Sequence, residues 1–384
     1  MNEELRAAVR SSSAVAAEHA EHCDAEAQFP DAAVHEMRRS GLLGLMVPAG
    51  FGGGAGTLAD LVEAATELGR VDLSVALIFA MHCQQVVALD RFGGEQLRAE
   101  VLPAIAAGKV YLGSVTTTAA AGGHLLSADS ATRQDGANLL IDRTAPIVTG
   151  GAHADAFLVT MGTPGASSPA QVDLIYAWRD QLRLEVTGDW QPLGMRATES
   201  LPMRLHGSIP SWQVIGAAGS FRDIATSCFA PLAHVGWAAS WLGTAAGAYS
   251  RVVCHLREPA RRAQVDPRSE LLLIRLATAR QRLEVVHALL QHTISVLGGA
   301  GEVGATPIQL LVNTVKVVAA DECVRVVDEL IELVGLRHGY LTGSPLGLER
   351  ALRDLRSASL NYANDRLRLS NGALSLMDSA VTFA

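Results

Sequence analysis

Apolar residues recur three and four positions apart over most of the chain, and give way to short alternating runs only between about residues 110 and 215. The first stretch predicts a long amino-terminal helix, a short one after Phe29-Pro30-Asp31, and helices over 57–70, 73–90 and 95–107. A glycine-rich stretch, GLLGLMVPAGFGGGAG (41–56), interrupts them, because no helix spans that many glycines. Runs such as VYLGSVTTT, NLLIDRTAPIVTG, AFLVTMG and VDLIYAW, parted by Gly, Asp, Asn and Pro, then predict a small antiparallel β unit. Helical spacing returns over 222–256, 269–297, 305–336 and 346–381, the last two separated by VGLRHGYLTGSP. The expected fold is therefore mainly α with a β insert: an N-terminal helical domain (1–109), a middle antiparallel β domain (110–220) and a C-terminal four-helix bundle (221–384).

That order disfavours alternating βαβ units, and no GxGxxG follows a strand, so a Rossmann-type nucleotide fold is not expected. The glycine-rich stretch has neither a preceding strand nor a GK[ST] ending, so it reads as a connector rather than a P-loop.

Composition sharpens this picture. Apolar residues make up 49% of 384 residues and aromatics only 5%, so the core is built from Ala, Leu and Val, which suits closely packed helices. The formal charge is −8 and the only lysines are Lys109 and Lys316; with no basic tract, nucleic acid is not an expected partner. Five cysteines (Cys23, Cys83, Cys228, Cys254, Cys323) lack CxxC spacing, which argues against a zinc or dithiol site and fits a reducing cytoplasm. The acidic start MNEELRAAVR does not read as a signal peptide. CFAPLAHVGWAASWLGTAAGAYS (228–250) carries no Asp, Glu, Lys or Arg, yet its Ala, Gly and His234 read as a buried central helix rather than a membrane span.

Candidate chemistry sits where strand gives way to helix. In DWQPLGMRATES (189–200), Pro192 and Gly194 shape a turn that presents Met195, Arg196, Thr198 and Ser200, a mixture suited to an anionic or carbonyl-bearing ligand. PLGMRATES also resembles the LGMRGTxS segment of the acyl-CoA dehydrogenase family. Four further segments agree in order: residues 29–56 with the family's GLLGLxVPxxxGGxG stretch, 110–124 with its TEPGAGSD loop, 145–159 with its WITNGxxAD strand, and 350–359 with its RxxRDxR.

The resemblance implies FAD between the β domain and the last bundle, and a homodimer or homotetramer. Thr116 matches the threonine of TEPG and Thr149 that of WITN, both flavin contacts in the family; Thr117 and Asn364 are placed with them on the cofactor side. Arg257, Arg261 and Arg262 lie where the family often puts an arginine near the pyrophosphate. Arg196 matches the LGMR arginine, which holds the loop or meets the ligand, and Thr198 joins it as a substrate-side candidate. Departures accompany the matches: Thr117 replaces the glutamate of TEPG, glycine at 122 or 123 the serine of GSD, and Ile147 the tryptophan of WITN.

The largest departure concerns the base. The stretch RDLRSASLNYAND (353–365) reads as the start of a helix, and where many members carry the glutamate of YEGT, counting from Arg353 gives Tyr362, followed by Ala363 and Asn364. Other members place the glutamate on the first helix after the β domain, where this chain has Ala233. Desaturating a thioester removes a proton next to the carbonyl, so a positioned base is required. Asp365, three residues beyond Tyr362 and able to share its helix face, and His234 are the remaining candidates, although they read more readily as a solvated acid and a satisfied core histidine. Family monooxygenases often carry a histidine eight residues after the RD arginine; that position is Asn361. Three readings result: desaturation of an acyl thioester of CoA or a carrier protein, flavin-dependent oxygenation, or a non-catalytic subunit completing the site of a glutamate-bearing paralogue.

Overall fold

In the computed structural model, which describes residues 1–118, 125–259, 266, 268–299 and 304–384, five helices come first: α1 (Glu3–Glu26), α2 (Asp31–Arg39), α3 (Leu58–Gly69), α4 (Leu73–Phe92) and α5 (Glu95–Ala106). Their starts are fixed by side-chain caps. Asn2 accepts from the Leu5 amide, Thr57 and Asp60 close a capping box, and Asp72 accepts from the Val75 amide. One helix among the described residues, Leu73–Phe92, is long and apolar enough to cross a membrane, and 89% of its apolar window is buried inside the protein.

The middle region holds two four-stranded sheets. One runs β1 (Leu112–Val115), β4 (Ala156–Gly162), β5 (Val172–Trp178), β8 (Val214–Ile215); the other runs β2 (Arg133–Asp135), β3 (Asn138–Val148), β7 (Leu201–Pro210), β6 (Leu182–Val186). The expected antiparallel unit is corrected in one respect: β1 pairs parallel to β4, because the chain passes from β1 through the second sheet before returning. β4 and β5 are buried over nearly their whole length, whereas β3 alternates, one face in and one face out.

The carboxy-terminal region is built around α7 (Ala230–Arg257), which follows a single turn, α6 (Phe221–Ile224), and a π-helical stretch, Ala225–Phe229. The segment read as a buried central helix is this one, with Trp241 fully enclosed. Close approach explains its glycines: a Cβ on Gly243 would stand 2.1 Å from the Thr66 carbonyl oxygen, so α7 and α3 meet backbone to backbone. Around it lie α8 (Glu270–Gly298) and α9 (Thr306–Gly335).

The fourth long helix differs from expectation. Residues 346–381 form not one helix but two, α10 (Leu348–Leu355) and α11 (Asn364–Ser375), separated by a turn in which Tyr362 takes φ +51°. Tyr362 therefore does not share a helical face with Asp365.

Candidate functional site

The turn between α10 and α11 faces α7 and the middle sheets, and it brings together residues from remote parts of the chain. The rings of His234, on α7, and Tyr362, in the turn, lie 6.0 Å apart centre to centre, and the Trp237 ring lies 6.0 Å from that of His234. The turn after the RD pair thus meets the first post-sheet helix at His234, the neighbour of Ala233. His234 is buried; its Nδ1 is 3.3 Å from the Val312 carbonyl oxygen, and burial, helped by the nearby Lys316 charge, pushes its pKa down to about 3. It is a neutral imidazole at physiological pH. Tyr362 is 37% exposed, and its hydroxyl has no partner among the described residues. Asn361 donates to the Met195 sulfur at 3.6 Å.

Asp365 does not join this group. Its side chain is 95% exposed in the first turn of α11 and pairs with Arg368 at 3.1 Å, while Arg368 also reaches Asp321 at 2.6 Å. Asn364 is buried but spoken for: its amide donates to Asp321 at 2.9 Å and its oxygen accepts from Lys316 at 2.7 Å. Lys316 was not singled out from the sequence, although a lone lysine within the apolar run NTVKVVAA was a readable signal.

A row of hydroxyls borders the same region from the β side. Thr116 and Thr117 follow β1 half-buried; the Thr117 hydroxyl donates to the Ile147 carbonyl at 3.0 Å, and buried Arg143 donates to the Thr117 carbonyl at 2.7 Å. Thr149, Thr198 and Ser200 form a chain of hydroxyls with Oγ separations of 3.0 and 2.8 Å. The Thr118 hydroxyl is buried without a partner among the described residues, and Ile147, whose carbonyl Thr117 meets, is 44% exposed. An orphaned hydroxyl, two further threonines and an uncovered apolar side chain fit the edge and face of a planar heteroaromatic ring with donors and acceptors. The flavin expected from the sequence is compatible with this surface.

The 189–200 loop is held from outside the site. Met195 (φ +54°) donates its amide to Asp354 at 2.7 Å, and burial pushes the Asp354 carboxyl up to about 7. Arg196 turns away from the hydroxyl row: its guanidinium donates to the carbonyls of Asp24 at 2.6 Å and Ala25 at 3.0 Å, at the end of α1. Thr198 is buried, and its hydroxyl donates to the Met195 carbonyl at 2.8 Å. Arg257 is exposed at the end of α7. Arg261, Arg262, Gly122 and Gly123 lie outside the described residues.

Comparison with known proteins agrees with this architecture. The family model for the acyl-CoA dehydrogenase N-terminal domain matches residues 2–109, and that for the acyl-CoA dehydrogenase C-terminal domain matches residues 227–361. A dibenzothiophene monooxygenase from Rhodococcus qingshengii is 25% identical over 348 residues, covering 85% of this chain and 82% of that protein. A probable acyl-CoA dehydrogenase from Mycobacterium tuberculosis is 22% identical over 371 residues, covering 96% and 93%. Among solved structures, FMN-bound TdsC from Paenibacillus sp. A11-2 superposes with a TM-score of 0.86 at 21% identity, over 98% of this chain and 97% of that one, a likeness of fold.

Proposed function

The chain belongs to the acyl-CoA dehydrogenase family of flavin-dependent oxidoreductases, and on that premise we propose that it desaturates an acyl thioester of CoA or a carrier protein, with the reacting carbons held between Tyr362, His234 and the hydroxyl row. The observation that carries the reading is the meeting of His234 and Tyr362, ring centres 6.0 Å apart, which joins the residue at the YEGT position to the neighbour of Ala233 on the first helix after the sheets. Bound FAD supplies the hydride acceptor. Thr116, Thr117, Thr118 and Thr149 are the residues that would hold the flavin ring, with Ile147 against its face.

This chain's own part is to receive the proton lost from the carbon beside the thioester carbonyl. His234 is a poor acceptor, since burial and the Lys316 charge disfavour its cation. Tyr362 is partly exposed, and its hydroxyl has no partner among the described residues. A phenol accepts a proton only as phenolate, and Tyr362 is the group this reading puts in that role. Assembly as a homodimer or homotetramer is supported by apolar side chains left uncovered on α8, Leu271 and Ile274 both at 62% exposure.

A second reading rests on a specific observation: Tyr362, Ala363 and Ala233 supply no carboxylate at either family position. Oxygenation by reduced flavin and O₂ needs no acceptor for an α-proton. One experiment separates the two. The purified protein, supplemented with FAD under anaerobic conditions, is titrated with acyl-CoA and acyl-carrier thioesters while the flavin band near ~450 nm is followed. Bleaching is the expected result; bound flavin that no thioester reduces would overturn desaturation in favour of oxygenation.

A further inference from the structure

The face of α9 turned toward α7 is apolar, with Val312, Val315, Ala319 and Cys323 buried, and Lys316 lies in that stripe with 0% of its surface exposed. A buried ammonium is costly unless each of its hydrogens finds an acceptor. Lys316 Nζ has three: the Ala358 carbonyl at 3.0 Å, the Tyr362 carbonyl at 3.0 Å and the Asn364 side-chain oxygen at 2.7 Å. The Trp241 ring adds a π face 5.5 Å away. Burial pulls the Lys316 pKa down to about 7, Asp321 acts to raise it and Arg368 to lower it. Three oxygens around one nitrogen match the three hydrogens of the ammonium, whereas a neutral amine leaves one oxygen unmet.

All three acceptors belong to the interruption between α10 and α11. Ala358 and Tyr362 offer carbonyls freed by the break, and Asn364 opens the next helix. Tyr362, whose φ of +51° an L-residue rarely adopts, sits between them. We propose that Lys316 is a positioning residue that stabilises the break and fixes the Tyr362 main chain, so that the phenol is presented beside His234 instead of being drawn into a continuous helix. Its bearing on catalysis rests on the desaturation reading; its bearing on the conformation of Tyr362 does not.

The test uses flavin-loaded protein labelled with 3-fluorotyrosine. The chain has five tyrosines, and Tyr362→Phe identifies the Tyr362 signal in the fluorine NMR spectrum. Lys316→Met is expected to shift or broaden that signal and leave those of Tyr111 and Tyr176, buried in the middle region, where they were. Asn364→Ala, which removes one acceptor and keeps the lysine, is expected to do the same to a smaller degree and decides the matter if Lys316→Met does not fold. A Tyr362 signal unmoved in the folded variants, or all five signals moving together, overturns the proposal. In thioester-driven bleaching, Lys316→Met should slow the reaction about tenfold or more, and the double variant with Tyr362→Phe should be no slower than Tyr362→Phe alone; a slower double variant overturns action through Tyr362. If no thioester bleaches even the wild type, the desaturation reading fails while the fluorine spectrum still decides on Lys316.

Discussion

Gly194 meets Arg353 so closely that a Cβ on Gly194 would stand 2.1 Å from the Arg353 carbonyl oxygen and 2.5 Å from the Asp354 nitrogen. The 189–200 loop is thereby docked backbone to backbone on the end of α10, and two side chains complete the dock: the Asp354 carboxyl accepts from the Met195 amide at 2.7 Å and the Arg353 guanidinium donates to the Leu193 carbonyl at 3.1 Å. Gly194→Ala cannot be absorbed by a side-chain rotation, because the obstructing atoms are main chain. We expect a loss of about 3 kcal/mol or more in urea unfolding, together with weaker FAD retention, since the same loop carries Thr198 and Ser200. A variant unchanged in both would show that the loop is not tied to α10 in solution.

Tyr362→Phe removes a hydroxyl that has no partner among the described residues. Thioester-driven flavin reduction should fall by about 10²-fold or more. Ala363→Glu restores a carboxylate beside the position the family uses and should raise the rate above wild type. Asp365→Asn, on a side chain 95% exposed, should leave the rate within about twofold of wild type. Stopped-flow absorption measures all three, and a Tyr362→Phe rate equal to wild type would remove the phenol from the reaction.

Arg196 is committed to the end of α1, where its guanidinium donates to the Asp24 and Ala25 carbonyls of the last turn. Arg353 reinforces the same corner by pairing with Asp24 at 2.6 Å. Arg196→Ala should therefore cost about 1–2 kcal/mol in thermal unfolding and leave the ligand titration of the flavin spectrum unaltered. A weakened titration at unchanged stability would return Arg196 to the ligand.

Much of this architecture is legible in the sequence because it is local. Asn2, Thr57 and Asp72 cap helices from the residue just before each starts, and the small residues of 228–250 make a helix that is mostly buried. The break between α10 and α11 is different: the spacing of Leu348, Leu352, Leu355 and Leu367 suits one helix, and what pays for interrupting it is a lysine on another helix. β7 is similarly hidden, since LPMRLHGSIP contains two prolines and a glycine and becomes a strand through pairing with β3 and β6. The convergence of His234 with Tyr362 follows from helix packing that no local pattern encodes, whereas the absence of a carboxylate at both positions is plain in the sequence itself.

The last prediction concerns pH. His153 stacks on Phe29 with ring centres 4.1 Å apart, and its two nitrogens lie 2.9 Å from Glu199 and 3.1 Å from Asp31. Only the imidazolium donates to both carboxylates, so the Glu199 hydrogen bond raises the His153 pKa above its ordinary 6.5, and the same contact lowers Glu199 below its ordinary 4.5. The His153 contribution is fully present below the unfolded value of 6.5 and is lost as pH rises through the raised folded value; the Glu199 contribution is present above 4.5 and is lost as pH falls through the lowered one. The advantage of wild type over His153→Gln should therefore be greatest between those two ordinary values, at about 1 kcal/mol, and should shrink toward alkaline pH and with added salt. Because Glu199 takes φ +41° two residues after the buried Ala197, loss of the pair also frees the turn that carries Thr198 and Ser200. FAD affinity should weaken over the same alkaline range in wild type and be flat in His153→Gln. Unfolding and flavin binding measured from pH 5 to 9 check both, and a stability difference constant across that range would mean that His153 does not bridge the two acids in solution.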